Sequence, residues 1–158
     1  MFKSIVVNGV RLVVYPDGTI LRYCAKNSQY YKQGWNHIHL QSNDDGYIRV
    51  VLNREVMRVH RIIGYAFLGL EIENPKQFID HIDRNRMNNK SENLRIVSHQ
   101  ENNFNRSSVK GYSFYKHQNL FKSRIKINNK LIHLGYFKTE NEARQAYLDA
   151  KNIYHIIE

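Results

Sequence analysis

The chain has 158 residues, the length of one domain or of two small modules. Its 24 lysines and arginines outnumber 14 acidic residues, which gives a formal net charge of +10. A hydrophobic share of 42% excludes a disordered chain, and no apolar run approaches the ~20 residues that cross a bilayer. The N-terminus lacks the continuous apolar core of a signal peptide. We therefore expect a soluble, cytoplasmic protein.

The net charge and the single cysteine limit the kinds of ligand and metal site that the chain can have. A strongly basic chain favours a polyanion such as nucleic acid, although the charge could also serve solubility alone. One cysteine excludes an internal disulfide and a cysteine-based zinc site, so no zinc is expected.

Charge and composition divide the chain into three segments: residues 1–53, 54–106 and 107–158. Their net charges are +3, +2 and +5, so the last segment is the most basic. A polar joint at residues 105–108 precedes it and is typical of a module boundary.

The first segment predicts short strands. Its apolar or alternating runs cover residues 5–7, 11–15, 19–23 and 47–52. The first two runs flank Asn8-Gly9, a dipeptide typical of a two-residue hairpin. We leave the function of this segment open.

Helices are predicted at three places. Apolar residues from Val59 to Phe67 recur with helical spacing. Ser98–Glu101 and Thr139–Glu142 both match the capping box, in which a hydroxyl residue and a glutamate three residues later satisfy each other's backbone donors. Between the second and third helices, three strand-like runs cover residues 112–116, 120–127 and 131–137.

Four polar residues in the middle segment suggest a catalytic site. Asp80 and His81 end a short apolar run, Asn93 opens the next run, and Asn102 lies in the capped helix that follows. Carboxylate and amide oxygens are ligands that Mg²⁺ prefers, and an imidazole can take a proton from water near neutral pH. In a basic protein this combination points to metal-assisted phosphodiester hydrolysis.

Residues 60–103 resemble the HNH endonuclease family, in particular its phage and intron-encoded homing endonucleases. The motifs are His60-Arg61, Ala66-Phe67, Asp80-His81-Ile82-Asp83, Asn88-Asn89, Asn93-Leu94 and Glu101-Asn102. The 12 residues from His81 to Asn93 and the nine more to Asn102 are similar to the His-Asn-Asn variant of that family.

The resemblance implies a ββα-metal nuclease core that uses one divalent cation, Mg²⁺ or Mn²⁺, and no small-molecule cofactor. His81 would be the general base, and Asn93 would brace the loop that orients it. Asp80 and Asn102 would bind the cation, and Arg61 could contact a phosphate. Asp83 could be a further ligand, but we favour a turn-forming role; the turn at Asn88-Asn89 could also contact a phosphate. His60 could equally be a buried, hydrogen-bonded side chain.

Residues 111–154 resemble the AP2 DNA-binding domain, on Gly111–Tyr115, Phe121–Ile127, His133–Phe137 and the capped helix. The resemblance implies a three-stranded sheet that enters the major groove, backed by the helix. Alternation would place Lys122, Arg124 and Lys126 on one face and Phe121, Ile125 and Ile127 on the other. The residues predicted to bind DNA here are Lys116, Lys122, Arg124, Lys126, Lys130, His133 and Tyr136.

Together these features predict an α+β protein with a strand-rich region at 1–53, an HNH core at 54–106 and an AP2-like domain at 107–158. Its function would be site-specific cleavage of double-stranded DNA, with one active site per chain cutting one strand and the oligomeric state open. The alternatives are a DNA-binding regulator with an inactive nuclease core, or a non-specific HNH nuclease.

Overall fold

Residues 1–105 and 109–156 are described in the structure, a computed structural model. Within these ranges the strands are β1 Lys3–Val7, β2 Val10–Val14, β3 Ile20–Cys24, β4 Gly34–His37, β5 Gln41–Ser42, β6 Ile48–Leu52, β7 Glu55–Arg58, β8 Phe78–His81, β9 Leu94–Val97, β10 Tyr112–Tyr115, β11 Leu120–Ile127 and β12 Lys130–Phe137. The helices are α1 Val59–Phe67, α2 His99–Phe104 and α3 Glu140–Tyr154. The predicted α+β class is confirmed. None of the described helices is long and apolar enough to cross a membrane.

The chain forms two compact units, Met1–His99 and Gln100–Glu158. The first unit holds a four-stranded sheet in the order β1-β2-β3-β4, a three-stranded sheet β5-β6-β7 and the pair β8-β9. One buried cluster joins these sheets to α1, and its members with less than 1% exposure are Leu12, Val14, Val50, Leu52, Ile62 and Ile63. The predicted limit at 53/54 therefore passes through one core. The predicted joint at 105–108 lies mostly outside the described residues, and the three functional segments stay a prediction.

The predicted hairpin at Asn8-Gly9 is confirmed. β1 and β2 pair antiparallel around these two residues, whose φ values are 48° and 73°. Two successive positive φ values are those of a type I′ turn, which matches the twist of the strands. A second hairpin of the same kind joins β6 to β7 through Asn53-Arg54, with φ 48° and 72°. The sequence did not predict it, because Arg54 occupies a position that usually holds glycine.

Helix α1 has the predicted bounds and packs its apolar face into the first core. Gly64 lets β8 approach this helix closely, since a Cβ at position 64 would lie 2.6 Å from Ile79 Cδ1. The close approach sets β8, and with it the end of that strand, directly against α1.

The second unit consists of the antiparallel sheet β10-β11-β12 and α3, as predicted from the strand runs and the capping box. Thr139 accepts from the backbone N–H of Glu142 at 3.2 Å, and the Glu142 carboxylate accepts from the Thr139 N–H at 3.1 Å. Ile125 packs with Tyr147 and Ala150 in the core of the unit.

Candidate functional site

The hairpin of β8 and β9 carries the central pair of predicted site residues. β8 ends in Asp80 and His81, and its antiparallel register sets them opposite Arg95 and Leu94. Asp80 is 7% exposed and His81 is 4% exposed. Both polar side chains are therefore held in the protein, not displayed on a solvated loop.

Asn93 ties together the loop that follows His81. Its Oδ1 accepts from the Asp83 N–H at 3.1 Å, and its Nδ2 donates to Asp83 Oδ1 at 2.9 Å and to Asn88 O at 2.8 Å. The Asp83 carboxylate also accepts from Asn88 Nδ2 and from the Asn85 N–H. The hydrogen bonds from Asn88, Asn85 and Asn93 lower the pKa of Asp83, and the charge of His81 adds to the effect. The geometry gives Asp83 the turn-forming role.

Asn89 fixes the proton on the His81 ring. Its Nδ2 donates to Met87 O at 3.2 Å, so its Oδ1 faces His81 Nε2, also at 3.2 Å. An acceptor at Nε2 places the ring proton there, which leaves Nδ1 as the basic nitrogen of the neutral imidazole. Burial lowers the pKa of His81, which favours this neutral form. From the sequence we predicted only a turn and a possible phosphate contact for Asn89.

Arg95 neutralises the carboxylate beside His81. Its Nε and its terminal nitrogen donate to Asp80 Oδ2 at 3.0 and 2.9 Å. A cation that binds Asp80 must share this carboxylate with the guanidinium. This ion pair was not predicted from the sequence, because it follows from the register of β8 and β9.

Two further rings surround His81. His60 meets it edge to face, with ring centroids 5.2 Å apart, and Tyr47 lies 6.0 Å from His81 and 5.0 Å from His60. His60 is 4% exposed, and burial, reinforced by nearby positive charge, lowers its pKa to about 3. His60 is therefore buried, as one of the two alternatives has it, but its Nδ1 has no hydrogen-bond partner among the described residues.

Two arginine side chains also contact the Tyr47 ring. The guanidinium carbon of Arg58 lies 4.5 Å from the ring centroid, and that of Arg86 lies 4.8 Å from it. Both arginines are exposed. Neither belongs to the predicted site. The Tyr47 ring contacts both arginines and lies beside His81, and besides burial the charge of Arg86 helps to lower the pKa of His81.

Arg61 was predicted to contact a phosphate, but the structure turns its guanidinium inward. Its two terminal nitrogens donate to the backbone carbonyls of Gln77 at 3.2 Å and Ile72 at 2.6 Å. These bonds hold the segment between α1 and β8, so this geometry supports a structural role.

Asn102 lies on the short helix α2, in the part of that helix that belongs to the second unit. Its shared ion with Asp80 stays a prediction. Within the described ranges no three His, Cys, Asp or Glu side chains form a group that could hold a metal ion. A cation at Asp80 would therefore depend on amide and water oxygens as further ligands.

The second unit displays the predicted cations on one sheet face. Arg124 and Lys126 are exposed, whereas Ile125 between them is buried, as the alternation predicts. The register sets Arg124 opposite His133 and Lys122 opposite Tyr136. Lys122 Nζ lies 5.7 Å from the Tyr136 ring centroid. Lys116 and Lys130 are exposed beside the turns at the two ends of β11.

Comparisons with known proteins bear on the first of these two sites. Residues 57–104 match the HNH endonuclease family. This segment is therefore similar to HNH endonucleases. It contains β8, β9 and the residues Asp80, His81, Asn89 and Asn93.

One sequence relative is named for the same family, and one solved structure has a similar fold. An uncharacterised HNH endonuclease of Acanthamoeba polyphaga mimivirus is 32% identical over 94 residues, which are 58% of this chain. The chain spans about half the length of that relative, since the match covers 49% of it. The fold is similar to that of the HNH homing endonuclease I-HmuI, solved in a study of DNA binding and cleavage, with a TM-score of 0.50 and 23% identity. That likeness covers 83% of this chain and 76% of the other.

Proposed function

We propose that the chain is a site-specific endonuclease that hydrolyses phosphodiester bonds of double-stranded DNA. The observation that carries the proposal is His81, an imidazole whose neutral form is favoured by burial and whose Nε2 faces Asn89 Oδ1, beside the Asp80 carboxylate in an HNH-like segment. A neutral imidazole whose pKa lies below its ordinary value is unprotonated at neutral pH, as a general base must be.

His81 Nδ1 takes the proton from the attacking water. Asn89 keeps the imidazole in the tautomer that can do so, and it stabilises the imidazolium that forms. Asn93 positions His81 indirectly, because it braces residues 83–88 and accepts the Ile82 N–H through its backbone carbonyl at 2.9 Å.

The donor set fits a hard divalent cation. The buried Asp80 carboxylate would be one oxygen ligand for Mg²⁺ or Mn²⁺, with water as a further ligand. Asn102 remains the second ligand that the family resemblance predicts. Such a cation, when bound, stabilises the charge on the scissile phosphate and on the leaving 3′ oxygen. Arg95 holds the Asp80 carboxylate in place for it.

The sheet of the second unit would read the DNA sequence in the manner of an AP2 domain. Arginine and lysine side chains recognise guanine in the major groove, and Lys122, Arg124 and Lys126 lie on the strand that would enter it. Contacts from Lys116, Lys130, His133 and Tyr136 would complete the face. A single active site per chain would cut one strand and nick the duplex.

The test is incubation of the full chain with a supercoiled plasmid and with long genomic DNA, in Mg²⁺, in Mn²⁺ and in EDTA. We expect discrete products that require the cation. The His81→Ala variant should lose cleavage, whereas His39→Ala, which removes an exposed histidine of the first unit, should cut like the wild type.

Three outcomes would count against parts of this proposal. Full cleavage by His81→Ala would refute the mechanism. A smear of products would indicate a non-specific nuclease, and tight binding without cleavage in either cation would indicate a DNA-binding regulator.

A further inference from the structure

The exposed side of the site is built on one aromatic ring. Tyr47 is half-buried, and its ring meets His60 and His81 inside the protein and the guanidinium groups of Arg58 and Arg86 outside it. Arg58 ends β7, and Arg86 belongs to the loop between β8 and β9. Two segments distant in sequence therefore place a cation on the same ring, directly beside the proposed general base.

One carboxylate serves the cations gathered here. Asp45 forms an ion pair with Arg49, whereas Arg58 lies farther from the same oxygen, at 3.8 Å. Arg86 donates to the backbone carbonyl of Asp45 at 2.7 Å, a neutral acceptor. Three arginines against Asp45 and the adjacent Asp44 still leave the cluster with a net positive charge. Asp83, a further nearby acid, is engaged by the asparagines of its loop.

The guanidinium groups of Arg58 and Arg86 are suited to an anion. Their side chains are exposed, and a ring beneath a guanidinium limits its rotation, so less freedom is lost when a ligand binds. Arginine binds phosphate through two parallel N–H···O bonds, which are stronger than neutral hydrogen bonds. At the 3.8 Å separation, Arg58 can exchange Asp45 for a phosphate while Arg49 keeps the carboxylate.

We propose that Arg58 and Arg86, carried on the Tyr47 ring, form a phosphate-binding clamp for the DNA backbone beside the bond that His81 attacks. This inference rests on the proposed function, because it takes DNA as the ligand. Tyr47 is a positioning residue in it: the ring sets the distance between the bound phosphate and the imidazole.

The test measures DNA binding in the absence of any divalent cation. The full chain is titrated with a 30-base-pair duplex in EDTA over a series of salt concentrations, as wild type, as Arg58→Gln, as Arg86→Gln and as the double variant. Each phosphate contact contributes ~0.9 to the slope of log affinity against log salt. We expect the slope of the double variant to be smaller by at least ~0.9. The ratio of wild-type affinity to variant affinity should then decrease about 3.5-fold between 50 and 200 mM salt.

The matched control is Arg11→Gln. Arg11 is also an exposed arginine on a tyrosine ring, 4.9 Å from the centroid of Tyr23, but on the β1–β4 sheet. It should leave the slope at the wild-type value. Tyr47→Phe, which keeps the ring, should bind like the wild type, and Tyr47→Leu should weaken binding like the arginine variants.

An unchanged slope in the double variant, or an equal loss in Arg11→Gln, would overturn the clamp. The proposed function is tested separately, because binding is measured without the cation that cleavage requires. His81→Ala should retain the wild-type slope although it does not cut. A clamp that fails would leave His81-dependent cleavage intact, and an inactive wild type would still show the loss of slope.

Discussion

His60 is the residue through which we expect mild acid to destabilise the first unit. It is 4% exposed, and its Nδ1 is buried without a hydrogen-bond partner among the described residues. Burial is the main reason that its pKa falls from 6.5 to about 3, and the neighbouring His81, Arg58 and Arg61 add to the effect. Protonation would place a charge inside the core beside a second imidazole.

The size of the effect follows from the two pKa values. Below pH 6.5 the unfolded chain binds a proton at this histidine and the folded chain does not. The free energy of unfolding therefore decreases as the pH is lowered. The full stability is present above pH 6.5, and it is lost progressively toward pH 3. At 1.36 kcal/mol per unit, His60 alone costs about 2 kcal/mol at pH 5 and less than about 0.3 kcal/mol at pH 7.

Urea unfolding at pH 7.5 and pH 5, followed by tryptophan fluorescence, measures this loss. Trp35 is the single tryptophan of the chain and lies on β4, so the signal reports on the first unit. We compare the decrease in the free energy of unfolding from pH 7.5 to pH 5 in wild type, His60→Phe and His60→Gln. Any change in stability that a variant already shows at pH 7.5 then cancels. Both variants should lose about 2 kcal/mol less than the wild type, and the exposed control His39→Gln should match it. If both His60 variants lose as much as the wild type, burial does not hold His60 neutral and the reasoning is wrong.

Three further substitutions test the packing and the loop. Gly64→Ala should destabilise the first unit by about 1–3 kcal/mol, because its Cβ would lie 2.6 Å from Ile79 Cδ1; in urea unfolding, Ile79→Val in the same chain should recover part of the loss, and no recovery would contradict the clash. Asn93→Ala should lower the free energy of unfolding by about 1–3 kcal/mol. It should also lower kcat, normalised to the concentration of folded protein, more than it changes KM, which a purely structural role would not do. Thr139→Ala should weaken α3 by about 0.5–2 kcal/mol in amide exchange, whereas Thr139→Ser, which keeps the cap to Glu142, should not.

Local chemistry explains which elements the sequence predicts. The Asn8-Gly9 turn, the periodic face of Val59–Phe67 and the capping box at Thr139 each lie within a few residues, and each is confirmed. The Asn53-Arg54 hairpin was missed because the packing of Val50 and Leu52 into the core holds an arginine at a positive φ. Tertiary burial outweighs a turn preference there.

The same distinction explains which arginines the sequence can assign to the site. Position 61 lies at the start of a predicted helix near the site, which favoured a phosphate contact for it. Its side chain instead reaches two carbonyls in residues 72–77, a stretch with no periodicity from which that path could be predicted. Arg58 and Arg86 have no motif of their own. They become part of one surface only because β7 and the loop after β8 meet at Tyr47, and only the folded chain shows that meeting. If the clamp binds DNA, the residues that hold the backbone near His81 are set by tertiary contact, whereas the residue that we propose as the general base is set by the motif.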